Sequence, residues 1–125
     1  MADLGDDFSE DRKFRKELVS GTTALVLLRL LDLAAKPMYG YEIAKAIEQA
    51  NAKAPVKLGT LYPVLRSLEV SGLLGSRVEP SVTGPPRRYY EITGDGREAL
   101  KRWGLIWKEI RGFVDGVLED NDHVK

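Results

Sequence analysis

The chain has 125 residues, no cysteine, and 19 acidic against 19 basic side chains. That length supports one domain, which buries about two thirds of its unfolded surface and needs no disulfide or metal to hold a core. Without thiols a disulfide framework and a thiolate metal site are excluded, and the expected location is a reducing, cytoplasmic compartment.

Residues 1–8 are acidic (Asp3, Asp6, Asp7) and are read as a disordered lead-in; no positive segment followed by an apolar core suggests a secretory signal. Ser9 is placed as an N-cap, with Glu10 and Asp11 where the helix dipole favours acids. A short helix from Asp11 to Val19 would carry Phe14 and Leu18 on one face. Gly21 is expected to end it, and Thr22 or Thr23 to cap the next. Helix Ala24 to Ala35 is apolar nearly all round, so it is expected to be the central buried helix, stopped by Lys36-Pro37. Its apolar run is interrupted by Arg29 and Asp32 and falls short of the roughly 20 residues of a membrane span, so no membrane partner is expected.

Gly40 opens a helix running to about Asn51, with Ile43, Ile47 and Ala50 as its core face. Residues 52–57 form the connection. The next helix carries Leu61, Leu65 and Leu68 on one side and Thr60, Tyr62, Pro63, Arg66 and Ser67 on the others. It is expected to begin near Gly59 or Thr60, because proline is tolerated in a first turn, and to close at Gly72. Strands Leu73 to Glu79 and Arg88 to Thr93 follow, joined by the irregular loop Pro80 to Pro86. Either Tyr90 and Ile92 or Tyr89 and Glu91 face the core. Thr93 or Asp95 caps a last helix reaching about Glu119, and residues 120–125 are read as a frayed tail.

Helix, helix, then basic hairpin is the order of a winged helix-turn-helix, whose second helix enters the DNA major groove. The expected fold is mainly α with a small β-hairpin: a winged helix-turn-helix over residues 9–93 and a long C-terminal dimerisation helix over 94–119. Charge distribution agrees. Between Lys36 and Arg102 eleven basic side chains face seven acidic ones, a surplus of four, while the balancing acids lie towards the two ends. Lys57 and Arg66 flank the reading helix and suit phosphates, or for Arg66 guanine edges; Arg66 could equally pair with Glu69. Tyr62 could donate its hydroxyl to a phosphate, or simply pack its ring on the hairpin. Arg87 and Arg88, beside the hairpin tip, suit phosphate or minor-groove contacts. The DNA partner expected is double-stranded.

Leu100, Trp103, Trp107, Ile110, Val114 and Val117 are spaced 3, 4, 3, 4, 3, a heptad seam of nearly three repeats, widened by Ile106 and Phe113. A helix packing on its own domain shows similar spacing, but this seam runs past a small three-helix core and holds both tryptophans. Six large side chains at about 1.5–3 kcal/mol each can exceed an association cost of about 4–15 kcal/mol, so a homodimer is expected. Its two reading helices would meet an inverted repeat about 34 Å apart.

The segments Lys36-Pro37-Met38-Tyr39-Gly40-Tyr41-Glu42-Ile43, Gly59-Thr60-Leu61-Tyr62-Pro63-Val64-Leu65 with Leu68-Glu69 and Gly72-Leu73, and Arg88-Tyr89-Tyr90-Glu91-Ile92-Thr93 with Gly96-Arg97 resemble the PadR family of bacterial transcriptional regulators. The match covers about Thr22 to Leu118, and the single C-terminal helix is similar to the shorter class of that family. The resemblance implies a dimeric winged helix, usually a repressor that releases its operator when a small molecule binds. It puts Thr60, Tyr62 and Pro63 at the exposed start of the recognition helix and Arg87-Arg88 at the wing base. The acidic lead-in and the proline-rich wing tip depart from the common pattern. Trp103 and Trp107, paired across a two-fold axis, would form an apolar slot for a small, flat aromatic effector; the alternative is that they only fill the interface.

Two other classes bear comparison. A winged-helix module binding protein rather than DNA keeps the fold but has no need of a basic wing base. Catalysis is not expected: the only histidine, His123, lies in the tail, no paired carboxylates or phosphate-cradling loop occur, and no cofactor is implied.

Overall fold

A computed structural model describes residues 8–50 and 57–119; most of the acidic lead-in, most of the 52–57 connection and the tail 120–125 lie outside the described residues. Helix α1 spans Ser9–Ala34 without a break. Gly21 does not end it, and Thr22 and Thr23 do not cap a second helix. Their hydroxyls bond backwards instead, Thr22 to the carbonyls of Leu18 (3.2 Å) and Val19 (3.1 Å), Thr23 to that of Val19 (2.6 Å). A threonine satisfied within the helix has no reason to break it, and one interior glycine costs only about 1 kcal/mol. Nor does Ser9 cap the start: Phe8 holds that position with no side-chain hydrogen bond, while Glu10 and Asp11 occupy the first turn as expected. Leu27, Leu28 and Leu31 are buried, yet Val26 and Leu33 are exposed, so the second half of α1 is buried along a stripe rather than all round. The helix closes on Ala35 in the left-handed region (φ 55°) before Lys36-Pro37.

Strand β1, Met38–Tyr39, is too short for periodicity to reveal and exists through its partner β3. Helix α2, Gly40–Ala50, follows at once, the Tyr39 N–H donating to Glu42 Oε1 at 3.1 Å, which satisfies one donor at the helix start. Ile43 and Ile47 are buried; Ala50, expected on the same face, is exposed at the helix end. Helix α3 spans Leu58–Val70, so Pro63 sits inside it rather than in its first turn. The helix starts earlier than expected because the Lys57 carbonyl accepts from both Thr60 (2.9 Å) and Leu61 (3.1 Å). The carbonyl that Pro63 leaves without its usual partner belongs to Gly59, an exposed residue open to water.

The end of α3 is a Schellman motif: Gly72 (φ 81°) donates to the Glu69 carbonyl, Leu73 to that of Leu68, both at 2.9 Å. Strands β2 (Leu74–Glu79) and β3 (Arg87–Ile92) pair antiparallel in register, Leu74 opposite Ile92 and Glu79 opposite Arg87, and the sheet order is β1-β3-β2. Helix α4, Gly94–Leu118, begins at Thr93, whose hydroxyl accepts from Gly96 (2.9 Å) and donates to the Gly72 carbonyl (2.7 Å). One core gathers Leu27, Leu28, Leu31, Ile43, Ile47, Leu61, Leu65, Leu68, Leu74, Tyr90, Ile92 and Ala99, so α1, α2, α3, the sheet and the first turns of α4 share it.

Two glycines give opposite predictions. A Cβ on Gly96 would overlap the Leu73 carbonyl oxygen and stand 2.7 Å from Ile92 Cγ1. Gly96→Ala is therefore expected to destabilise by at least about 1–3 kcal/mol, a loss of several degrees in a thermal melt. A Cβ on Gly21 meets nothing within 4 Å. Gly21→Ala should stabilise by about 0.5–1 kcal/mol, the sign a continuous α1 requires.

Candidate nucleic-acid interface

Three leucines, Leu61, Leu65 and Leu68, fix one face of α3 in the core and thereby decide what the other faces present. Thr60, Tyr62, Pro63, Arg66 and Ser67 are all exposed, and Lys57 stands exposed at the N-cap. Arg66 does not pair with Glu69, whose carboxylate is taken by Ser76 at 2.6 Å. Tyr62 lies only partly in solvent. The end of its ring rests on Gly40, where a Cβ would come within 2.7 Å of the Tyr62 hydroxyl oxygen, while 42% of the residue stays exposed. Gly40 thus lets α3 seat against the start of α2, which explains a glycine there beyond helix initiation.

Strand alternation separates the two wing arginines. Leu74 and Ser76 share the inner face of the sheet with Ile92, Tyr90 and Arg88, while Arg77 and Glu79 share the outer face with Glu91, Tyr89 and Arg87. Tyr90 and Ile92 are the buried pair. On the outer face the Arg87 guanidinium lies over the Tyr39 ring, 4.4 Å from its centroid, and Tyr39 in turn meets Tyr89 edge-on at 5.4 Å. Arg77 is ion-paired with Glu79 and, at 3.6 Å, with Glu91, which raises its pKa, the hydrogen bond to Glu79 being the main cause. On the inner face Arg88 donates to the Ser76 hydroxyl at 3.0 Å. The tip, residues 80–86, has no regular structure, as its prolines require.

Of the expected seam on α4, Leu100 and Trp103 pack partly against the core of their own domain. Trp107, Ile110, Val114 and Val117 do not, and neither do Leu105, Ile106, Phe113 and Leu118; every one is exposed, Phe113 at 71%. The first half of α1 is likewise uncovered, with Phe14 and Leu18 in solvent. An ion pair between Asp32 at the end of α1 and Arg97 at the start of α4 (3.3 Å) links the two helices where they leave the core. Sequence reasoning missed Glu69, Ser76, Tyr39 and Gly40 as parts of this region. The alternation that faces Tyr90 and Ile92 inward was the available signal for Ser76 and Arg88.

Two helices in the order α2, α3, the second with an exposed polar face, followed by a β-hairpin on a shared core, define the winged helix-turn-helix class. Residues 27–102 match the transcriptional regulator PadR-like family. A PadR family transcriptional regulator from Eggerthella lenta superposes with a TM-score of 0.76 at 33% identity, over 93% of this chain and 96% of that one. A PadR-like transcriptional regulator from Bacillus cereus does so at 0.66 and 25% identity, over 82% and 97%. An uncharacterised Lysinibacillus sphaericus protein is 30% identical over 106 residues, 84% of this chain and 95% of that one. The chain belongs to the PadR-like family of transcriptional regulators, a family of regulators rather than enzymes. No helix among the described residues is long and apolar enough to cross a membrane.

Burial pushes the Tyr90 phenol above its ordinary pKa, with Glu69 and Tyr62 acting in the same sense and Arg88 and Arg66 against it. A folded pKa above the unfolded value means that this contribution to stability is complete below the unfolded pKa, about 10, and is lost as pH rises through the folded one. Denaturant midpoints of the native protein and Tyr90→Phe should therefore run parallel from pH 7 to about 9.5, and the native protein should lose more ground above pH 10.

Proposed function

We propose that the protein is a homodimeric, sequence-specific DNA-binding repressor acting in the cytoplasm on an inverted repeat. The observation that carries this reading is the outward set on α3: Thr60, Tyr62, Pro63 and Arg66 held exposed by a fully buried leucine stripe. Lys57 and Arg66, with Arg87 from the wing, would supply the phosphate-neutralising charge, and Arg66 would read a guanine edge. Arg88 is engaged inwards and takes a different part. Three cations per protomer, six per dimer, give a slope of log affinity on log salt near −5. Repression needs only occupancy of a promoter, and a reading head with a dimer helix suffices for that.

Dimerisation is supported by the exposed apolar half of α4, with Trp107, Ile110, Val114 and Val117 as its seam. Leu100 and Trp103 would meet a partner with the part of their surface that their own core leaves open. Contiguous apolar surface of this extent on a single helix marks an interface. The domains then divide as a winged helix-turn-helix over 9–93 and a dimer helix over 94–119. A small aromatic effector would bind between paired Trp107 side chains, with Trp103 forming the floor, and release the operator by shifting one α4 against the other.

Footprinting and mobility shifts on the DNA upstream of its own coding sequence test the first part. A protected inverted repeat is expected, and Arg66→Ala should weaken binding about 5- to 100-fold while relaxing one base position. Binding to protein partners with no duplex retained at low salt would mean an interaction module instead. Ile110→Glu with Val114→Glu should give a monomer by sedimentation at micromolar concentration and lose at least about 100-fold in operator affinity. Trp107→Ala should remove effector response while sparing operator binding; it is the better variant because Trp103→Ala would also open the core.

A further inference from the structure

Three elements meet at one hydroxyl. Ser76 on β2 donates to Glu69 Oε2 in the last turn of α3 at 2.6 Å and accepts from Arg88 Nη1 on β3 at 3.0 Å. A serine hydroxyl has one proton to give and lone pairs to receive, so the polarity runs from guanidinium through hydroxyl to carboxylate without conflict. Strand parity forces the arrangement: Ser76 lies opposite Tyr90, and Arg88 is two residues from Tyr90, so all three point towards α3. Tyr90 is buried beside them.

The place matters. Strand β1 pairs only with Tyr89 and Tyr90, so beyond that point the wing is a two-stranded ribbon of residues 78–79 and 87–88. An isolated two-stranded ribbon is marginal in water and free to swing about its base. The Glu69–Ser76–Arg88 chain sits where the third strand ends. Arg87, on the opposite face, is stacked on Tyr39 and makes no such connection.

We propose that Glu69, Ser76 and Arg88 form a strut that fixes the wing against the reading helix, so that Arg88 is a positioning residue and Arg87 alone of the adjacent pair faces phosphate. The second half of this inference rests on the DNA-binding reading; the strut itself does not.

The test uses the full chain and three variants, Glu69→Ala, Ser76→Ala and Arg88→Gln. Hydrogen exchange of the free protein reads the strut without DNA: amides of residues 77–79 and 87–88 should exchange faster in all three. Unchanged exchange in all three overturns the strut. Mobility shifts at several salt concentrations, on a duplex carrying the DNA upstream of its own coding sequence, read the role of Arg88. Each variant should weaken binding roughly ten-fold per dimer, with the salt slope unchanged and Ser76→Ala with Arg88→Gln together no worse than either alone. Glu69→Ala is the sharpest arm: removing an acid beside DNA would strengthen binding through charge alone, whereas loss of the strut weakens it. A slope shallower by about 2 for Arg88→Gln, with Ser76→Ala and Glu69→Ala binding no worse than the native protein, would make Arg88 a phosphate contact and overturn the assignment. Faster exchange in the three variants, together with a native protein that binds no duplex, would uphold the strut and fail the DNA reading instead.

Discussion

The end of the reading helix is tied to the start of α4 through the few atoms joining Gly72, Leu73, Thr93 and Gly96. The Thr93 hydroxyl closes the start of α4 on Gly96 and the end of α3 on the Gly72 carbonyl. The Thr93 N–H donates to the Leu73 carbonyl at 3.1 Å. That same carbonyl lies so close to Gly96 that no side chain fits between them. One threonine therefore caps one helix and bonds the terminus of another, satisfying orphan groups at both helix ends. Glycine at 96 is the condition for that approach, and glycine at 72, in the left-handed region, is the condition for the turn that brings Leu73 there.

The junction has a mechanical consequence because α4 is anchored in its first turns only. Gly96 and Ala99 are its buried residues, Leu100 and Trp103 are half covered, and the helix beyond stands clear of the core. A tilt of α4 cannot be absorbed at Gly96, where there is no slack, and so bears on Leu73 and the end of α3. The Asp32–Arg97 ion pair adds little energy at an exposed position, about 1 kcal/mol at most, but ties α1 to the same turn. In the proposed dimer, geometry set between two α4 helices would reach the reading heads along this short path.

Much of this was legible in the residues. The leucine stripe of α3 and the glycine closure at 72 follow from local chemistry that tertiary structure did not override, while the choice of Thr93 over Asp95 as cap and of Tyr90–Ile92 over Tyr89–Glu91 as the inward pair came from the fold. The misreadings share a cause. Thr22 and Thr23 were assigned as caps because threonine favours caps, but a hydroxyl that can bond to a carbonyl a turn earlier is equally satisfied within a helix. Pro63 is a local penalty outweighed by a buried face that continues through it, and Gly21 costs too little to end a helix whose threonines are satisfied within it. Strand β1 depends on β3, fifty residues away in sequence, and two residues carry no period of their own. The heptad spacing of α4 was read correctly as spacing, yet a helix covering its own core and a helix covering a partner's show the same one. Only the position of the core divides Leu100 and Trp103 from Trp107 onwards.

Adjacent arginines invite a shared role, and here alternation argues against it. In a strand neighbouring side chains leave by opposite faces, so Arg87 and Arg88 meet different surroundings however flexible their stems. One rests on an aromatic ring with its donors open to solvent, and the other faces a hydroxyl backed by a carboxylate. A guanidinium already facing such a chain must leave it to meet a phosphate, exposing Ser76 and Glu69 to an approaching anion. The acid then repels what the base attracts. Counting basic residues near a wing overstates its charge for that reason, and the relevant quantity is the number of cations whose nearest carboxylate lies far enough away to leave them free for DNA.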